Sequence, residues 1–294
     1  MPNWSQILEI VDASSNPSRV LTEERRKYMA KIQEITGRNI IAYYSGWLKK
    51  ADAPHISIEE QDKNAFMNAV YKLDRSKGLD LILHTPGGDI AAAESLVTYL
   101  HDMFHGNIRA FIPQISMSAG TMIAMSCKEI IMGSQSALGP IDPQMGGVAC
   151  QSVKEEFNKA VEDIRNRPTS LGLWQVIISK YTPTFLTECE NAVRWSEDLA
   201  RKWLSGANKD IDANRVIKTF LNHKDTYSHN RRISREDCIK AGLINVKRLE
   251  DNQELQDAVL SLHHCYMILL DKFLIAKVVE NSIGSCFVQT YAQN

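Results

Sequence analysis

The chain has no long hydrophobic run. Nothing in its 294 residues reaches the ~18 consecutive apolar positions that a membrane-crossing helix requires. The nearest approach, Cys265 to Val279, is interrupted by Asp271, Lys272 and Lys277. The start, Met1-Pro2-Asn3-Trp4 followed by Glu9, Asp12, Glu23 and Glu24, lacks the basic and apolar segments of a secretory signal. Charge of one sign is also missing: 34 Lys and Arg stand against 35 Asp and Glu, for a formal net charge of -1. Neither nucleic acid nor an anionic membrane is indicated as a partner. Short basic clusters such as Arg25-Arg26-Lys27 and Arg231-Arg232 read as solvated surface. The six cysteines (127, 150, 189, 238, 265 and 286) are scattered with no CxxC pair. They are expected to be free thiols in a reducing cytoplasm. His263-His264-Cys265 is too tight a cluster for one tetrahedral ion, because adjacent helical residues diverge by about 100°. No Gly-x-Gly-x-x-Gly and no Gly-Lys-Ser/Thr stands at a strand end, which argues against nucleotide binding. No metal or cofactor is expected. No repeat and no Gly/Ser-rich linker divides the chain.

What remains is an ordinary globular composition, 44% hydrophobic, long enough for one large domain or a core with an appendage. Residues 1–37 are helical and charged, with intermittent apolar positions, and are expected to form an arm. Asn39 to Leu48 is β-branched and aromatic and reads as a strand. Ser57 is expected to cap a helix through Leu73. Strand 79–84, helix 90–104, strand 108–113, helix 118–126 and strand 129–132 then alternate. Such alternation implies βαβ units, an α/β fold and a parallel sheet. Beyond Cys150 the pattern is mostly helical: 152–166, 171–180, 183–204, 212–221 and 235–241. A long final helix is expected from about Gln253 to Glu280, its apolar face serving as core or subunit interface.

The chemistry gathers at two strand ends. The first strand, Leu79 to His84, runs into Thr85-Pro86-Gly87-Gly88-Asp89; the second runs into Met117-Ser118-Ala119-Gly120-Thr121. Ligand sites in parallel sheets fall at the carboxyl ends of strands. A serine at a helix start gains from the helix dipole, and the N–H groups of Ala119 and Gly88 can donate to a developing oxyanion. Glycine suits a turn where backbone must approach substrate. After Met132, a loop from Gly133 to Gly147 with three Gly-and-Pro clusters is long enough to suggest function.

His84-Thr-Pro-Gly-Gly-Asp89, Met117-Ser-Ala-Gly-Thr-Met122 and Leu138-Gly-Pro-Ile-Asp-Pro-Gln144 together resemble the serine dehydrogenase proteinase family. That family is related to signal peptide peptidase A and to the proteolytic subunit of the Clp protease, within the Clp/crotonase fold. The resemblance covers about Asn39 to Glu280. It implies a crotonase-like spiral of ββα units with a helical C-terminal part, self-assembly into a homo-oligomer, and a protein or peptide substrate. The chain is expected to divide into an arm at 1–37, a ClpP/crotonase-like protease domain at 38–250 and a C-terminal helix at 251–294 for packing or oligomerisation. Ser118 then matches the nucleophile, and Gly88 and Ala119 match the oxyanion donors.

The general base stays open between two residues. Asp142 falls where the Clp-type histidine would align, so that histidine is missing, and Asp142 could orient a base or pin its own loop. Lys159 is one candidate, as in a lysine dyad; it would have to be desolvated to be neutral. His229, near where a Clp-type aspartate would align, is the other. Lys154 should point elsewhere on the same helix as Lys159, and Lys128 reads as structural. The leading expectation is an ATP-independent serine endopeptidase acting on cytosolic proteins or peptides. The rivals are a crotonase-type acyl-CoA enzyme, which would not need Ser118, and a non-catalytic assembly module of the same fold.

Overall fold

The computed structural model describes residues 4–221 and 228–292. Its centre is a seven-stranded sheet formed by β1 (Asn39–Ser45), β2 (Leu79–His84), β3 (Ile108–Ile112), β5 (Glu129–Met132), β10 (Val246–Arg248), β11 (Ile275–Asn281) and β12 (Cys286–Thr290). The order across the sheet is β10-β5-β3-β2-β1-β11-β12. The five strands from β10 to β1 are parallel, and β11 and β12 add an antiparallel edge. This is a mixed α/β fold in which the motif-bearing strand ends of β2 and β3 are neighbours, as the sequence pattern required.

Alternation along the strands feeds two cores, because successive strand residues face opposite sides. Ile41 and Tyr43 of β1, with Leu79, Leu81 and Leu83 of β2, face one core. It is covered by α3 (Asp62–Val70), α4 (Ile90–Phe104), α5 (Ala119–Met125), α8 (Phe185–Ala207) and α9 (Ala213–Leu221). Ile40, Ala42 and Tyr44, with Ile82, face the other. That face is covered by α1 (Trp4–Asp12), α2 (Pro17–Thr36) and the helix Gln253–Lys272, here α11. The described part of the expected arm, residues 4–37, therefore packs on the core instead of standing apart from it. Leu21, Met29 and Ile32 of α2 are buried against α11, an arrangement their intermittent spacing conceals.

The final segment also differs from expectation. The helix stops at Lys272, and Ile275 to Asn281 forms a strand paired with β1 instead of further helix. The β-branched run Ile275-Ala-Lys-Val-Val279 has strand propensity, and Ser282-Ile-Gly284 supplies the hairpin turn, with Gly284 at φ +98°. Helix α3 starts at Asp62, leaving Ser57 to Glu59 extended beside the glycine turn.

Smaller elements frame the strand ends. β4 (Ile115–Ser116), β6 (Ala137–Leu138) and β9 (Ile233–Ser234) form a three-stranded sheet. β7 (Gln144–Met145) pairs with β8 (Val148–Ala149) inside the long loop. Helices α6 (Cys150–Asn166) and α7 (Leu171–Ile178) follow, and α10 (Arg235–Ala241) leads into β10. Among the described residues, no helix is long and apolar enough to cross a membrane.

Candidate active site

Ser118 sits at a sharp turn between β4 and α5. Its backbone has φ +50° and ψ -120°, a conformation that a residue with a Cβ rarely adopts and that costs of order 1–3 kcal/mol. The turn is held from both sides. Met117 N–H donates to the Thr85 carbonyl (3.0 Å), Gly120 N–H to the Met117 carbonyl (2.8 Å) and Met122 N–H to the Ser118 carbonyl (3.1 Å). The Ser118 side chain does not cap its own helix.

The glycine turn packs directly on this elbow. Gly87 has φ +93°, and a Cβ there would come within 2.7 Å of the Met117 carbonyl and of Ser118 Cβ. Gly88 has φ +154°, and a Cβ there would overlap the backbone N and O of Ile58. Both glycines are therefore demanded by close approach. The extended Ile58 fixes the turn: its N–H donates to the Gly87 carbonyl (2.8 Å), and its carbonyl accepts from Asp89 N–H (3.0 Å). These bonds bracket Gly88. Neither the Gly88 nor the Ala119 N–H has an acceptor among the described residues, which leaves two donors beside Ser118.

Ile58 is held in turn by a buried charge cluster that the sequence reading did not detect. Lys277 of β11 donates to the Ser57 carbonyl (2.8 Å) and to Asp62 (2.7 Å). Asp62 also accepts from Tyr43 Oη (2.9 Å) and from Glu59 N–H (3.0 Å). Lys277 and Asp62 are almost fully buried. The available signal was a lone lysine inside an apolar β-branched run.

Asp142 is buried behind the site, on the Gly-Pro loop. That loop is tied to the elbow through Thr121, whose hydroxyl lies 2.9 Å from the Ser116 carbonyl and accepts from Gly139 N–H (3.0 Å). It is tied to α9 through Ile141 N–H, which donates to the Phe220 carbonyl (2.9 Å). Asp142 Oδ2 accepts from Gln144 Nε2 (2.8 Å), while Oδ1 lies 2.8 Å from His229 Nδ1. His229 is 24% exposed and Asp142 is fully enclosed. The carboxylate therefore fixes Nδ1 as the protonated ring nitrogen.

A cavity of about 430 Å³ brings Ser118, Ala119, Gly88 and His229 together in its lining. Met122, Ile141 and Met145 give it apolar walls, and Trp195 of α8 contributes another. Trp195 Nε1 donates to Glu94 of α4 (3.2 Å), which tethers α8 over the cavity. Lys159 is exposed on α6 and does not line this cavity, and Lys154 and Lys128 are likewise exposed. Of the two candidate bases, only His229 shares the cavity with Ser118. Burial pushes the thiols of Cys127, Cys150, Cys238 and Cys265 up to about 12, far from a reactive thiolate. Among the described residues no cluster could hold a metal ion.

His84, from the first motif, faces away from the cavity and stacks on Tyr44. Burial pushes its imidazole down to about 4, so the ring is neutral near pH 7. Nδ1 lies 3.2 Å from the Ser45 carbonyl, and Nε2 faces the Gln114 side-chain amide (3.1 Å). Both neighbours, the Ser45 carbonyl and Gln114 Oε1, are acceptors, and a neutral ring donates to one of them. Its part is to fix the end of β2.

The model of the ClpP-like SDH-type serine proteinases matches residues 7–179. The chain belongs to that family. The match includes Gly88, Ser118, Ala119 and Asp142 but ends before His229. Two archaeal relatives from Methanocaldococcus jannaschii are similar, each named only as uncharacterized. The protein MJ0137 is 36% identical over 102 residues, 35% of this chain and 34% of its own length. The protein MJ1495 is 26% identical over 175 residues, 60% of this chain and 55% of its own length. The aligned segments thus span about a third and just over half of these relatives.

Proposed function

We propose that this ClpP-like proteinase is a serine endopeptidase in which Ser118 is the nucleophile, His229 the general base and Asp142 the residue that orients it. The observation that carries this reading is the 2.8 Å contact between Asp142 and His229, with His229 and the strained Ser118 lining one cavity. Gly88 and Ala119 supply the oxyanion donors. His229 Nε2 takes the Ser118 proton as Oγ attacks the scissile carbonyl. The tetrahedral oxygen forms between the two backbone N–H groups, and His229 then protonates the leaving amine. Water, activated by the same imidazole, releases the acyl-enzyme. Asp142 holds the tautomer that leaves Nε2 free to accept and faces the charge that develops on the ring.

In chain order this triad reads Ser, Asp, His. The aspartate occupies the place where the Clp-type order would put histidine, and the histidine comes from the later segment. The exchange explains how the expected histidine can be absent without loss of the chemistry. The apolar walls favour a peptide carrying an apolar side chain next to the scissile bond. The same reading takes the working form to be a homo-oligomer.

Labelling with a fluorophosphonate followed by peptide mass mapping tests the reading. The parent chain is expected to be labelled at Ser118. Labelling and peptide turnover should fall by about 10³-fold or more in Ser118→Ala and His229→Ala and stay within about two-fold in Lys159→Ala. Loss of labelling in Lys159→Ala with His229→Ala unaffected would reverse the assignment of the base.

A further inference from the structure

The cleft does not end at His229. A second cavity of about 400 Å³ adjoins the first and shares Ser57, Pro86 and His229 with it, but not Ser118, Gly88 or Ala119. It runs on to a third, of about 400 Å³, that shares Ile115 and Arg232 with it. The three cavities adjoin in sequence, sharing His229 between the first two and Arg232 between the last two. The second cavity is apolar near His229, where Trp47, Ile56, Ile115 and Met117 line it, and Arg232 lies at its junction with the third. Among the described residues no Asp or Glu lines either of these two cavities; Asp237 shares a separate cavity with Arg232 without forming an ion pair to it. The other titratable groups in the two linings are His229, His263 and His264.

The geometry points to a carboxylate-binding subsite at Arg232 on the leaving-group side of the scissile bond. The argument rests on the peptidase reading for one step: the side beyond the general acid must hold the segment whose amine it protonates. A guanidinium without an internal carboxylate presents a planar fork of N–H donors that matches a carboxylate. The substrate class selected is a peptide with an apolar residue entering beside Trp47 and a carboxylate following it. That carboxylate comes either from an acidic side chain or from the chain's own C-terminus.

Four fluorescein-labelled pentapeptides separate these sources: Ala-Leu-Phe-Ala-Glu and Ala-Leu-Phe-Ala-Gln, each as free acid and as amide. Their affinities are measured by anisotropy on the Ser118→Ala chain, alone and combined with Arg232→Gln or Arg232→Glu. Peptides with a carboxylate should bind about 3- to 10-fold more tightly than the Gln amide on Ser118→Ala, less so at high salt. Arg232→Gln should erase that advantage and Arg232→Glu invert it. Retention of the advantage by the Glu amide alone names the side chain; retention by the Gln acid alone names the terminus. Equal affinities on Ser118→Ala, or an advantage unchanged by Arg232→Gln, would overturn the subsite. Turnover of the same peptides by the chain with Ser118 intact reports separately on the peptidase reading. Binding selectivity without any cleavage would count against that reading and leave the subsite standing.

Discussion

At the residue scale, the site depends on positions where one atom more or less matters. Gly88→Ala would drive a Cβ into the Ile58 backbone at a φ of +154°. The turn would have to shift, taking the Gly88 donor with it. Turnover is expected to fall by about 10²-fold or more, in the range for loss of one oxyanion donor, while the thermal midpoint shifts by only a few degrees. Parallel kinetics and melting on the purified variant check both parts. His84 offers a different readout. Its imidazole is held near 4 in the folded chain against about 6.5 unfolded, so the unfolded state binds the proton more readily between those values. The resulting stability is complete above about pH 6.5 and is lost as pH falls toward 4, by roughly 3 kcal/mol at the low end. Denaturant melts across that range should show the loss, and His84→Gln should flatten it. The closeness of Ser118, Ala119 and Gly88 was legible in the sequence because neighbouring parallel strands bring their carboxyl ends side by side. His229 and Asp142 were legible only as separate candidates. Their pairing joins positions 87 apart in sequence, and no periodicity encodes a contact of that separation.

At the element scale, β11 does more than close the sheet. Its Lys277 ties Asp62, Ser57 and hence Ile58 to the glycine turn. Lys277→Met would leave the Asp62 carboxylate buried without its cation, at a cost of about 3–5 kcal/mol. The double change Lys277→Met with Asp62→Leu removes both charges and should recover part of that stability, because an isolated buried charge costs more than an absent pair. Turnover should stay low in the double variant, since the Ser57 carbonyl has lost its anchor. Full recovery of turnover along with stability would show that the cluster has no part in positioning the turn. The sequence pattern located the parallel strands and the helices after Cys150 well, because their periods of two and 3.6 are clear. It misread the last segment because closely spaced apolar residues continue from Leu255 to Val279 on both sides of Asp271-Lys272. A helix followed by a buried strand has the same composition as one longer helix, and only the β-branched run at Ile275 marked the change.

At the scale of the whole molecule, α8 lines the cleft through Ala192, Trp195 and Ser196 and packs with α6 around a small core built on Cys150, Val153 and Cys189, while α7 packs against α6. Helix α7, Leu-Gly-Leu-Trp-Gln-Val-Ile-Ile, carries no charge, yet Leu171, Leu173 and Val176 are exposed. An uncharged helix with apolar residues on its outer face is suited to burial against a second copy of the chain. Leu173→Asp with Val176→Asp is expected to lower the mass seen by light scattering at micromolar concentration without lowering the melting temperature. A parent chain that is already monomeric under those conditions would remove the basis for self-assembly. The sequence left the terminal helix open as core or subunit interface, and α11 spends its apolar face inside the second core. A hydrophobic stripe shows that a face is covered without showing by what.

The tie from Lys277 to the glycine turn also orders events during synthesis. Ser118, Gly88 and Asp142 have all been translated long before Lys277, yet the turn that carries Gly88 has its buried cation only once β11 has paired with β1. A chain still short of Lys277 therefore holds the residues of the proposed site without the buried cation that anchors the segment beside the glycine turn. On the proposed reading, hydrolytic competence is expected only once β11 has been made and paired with β1.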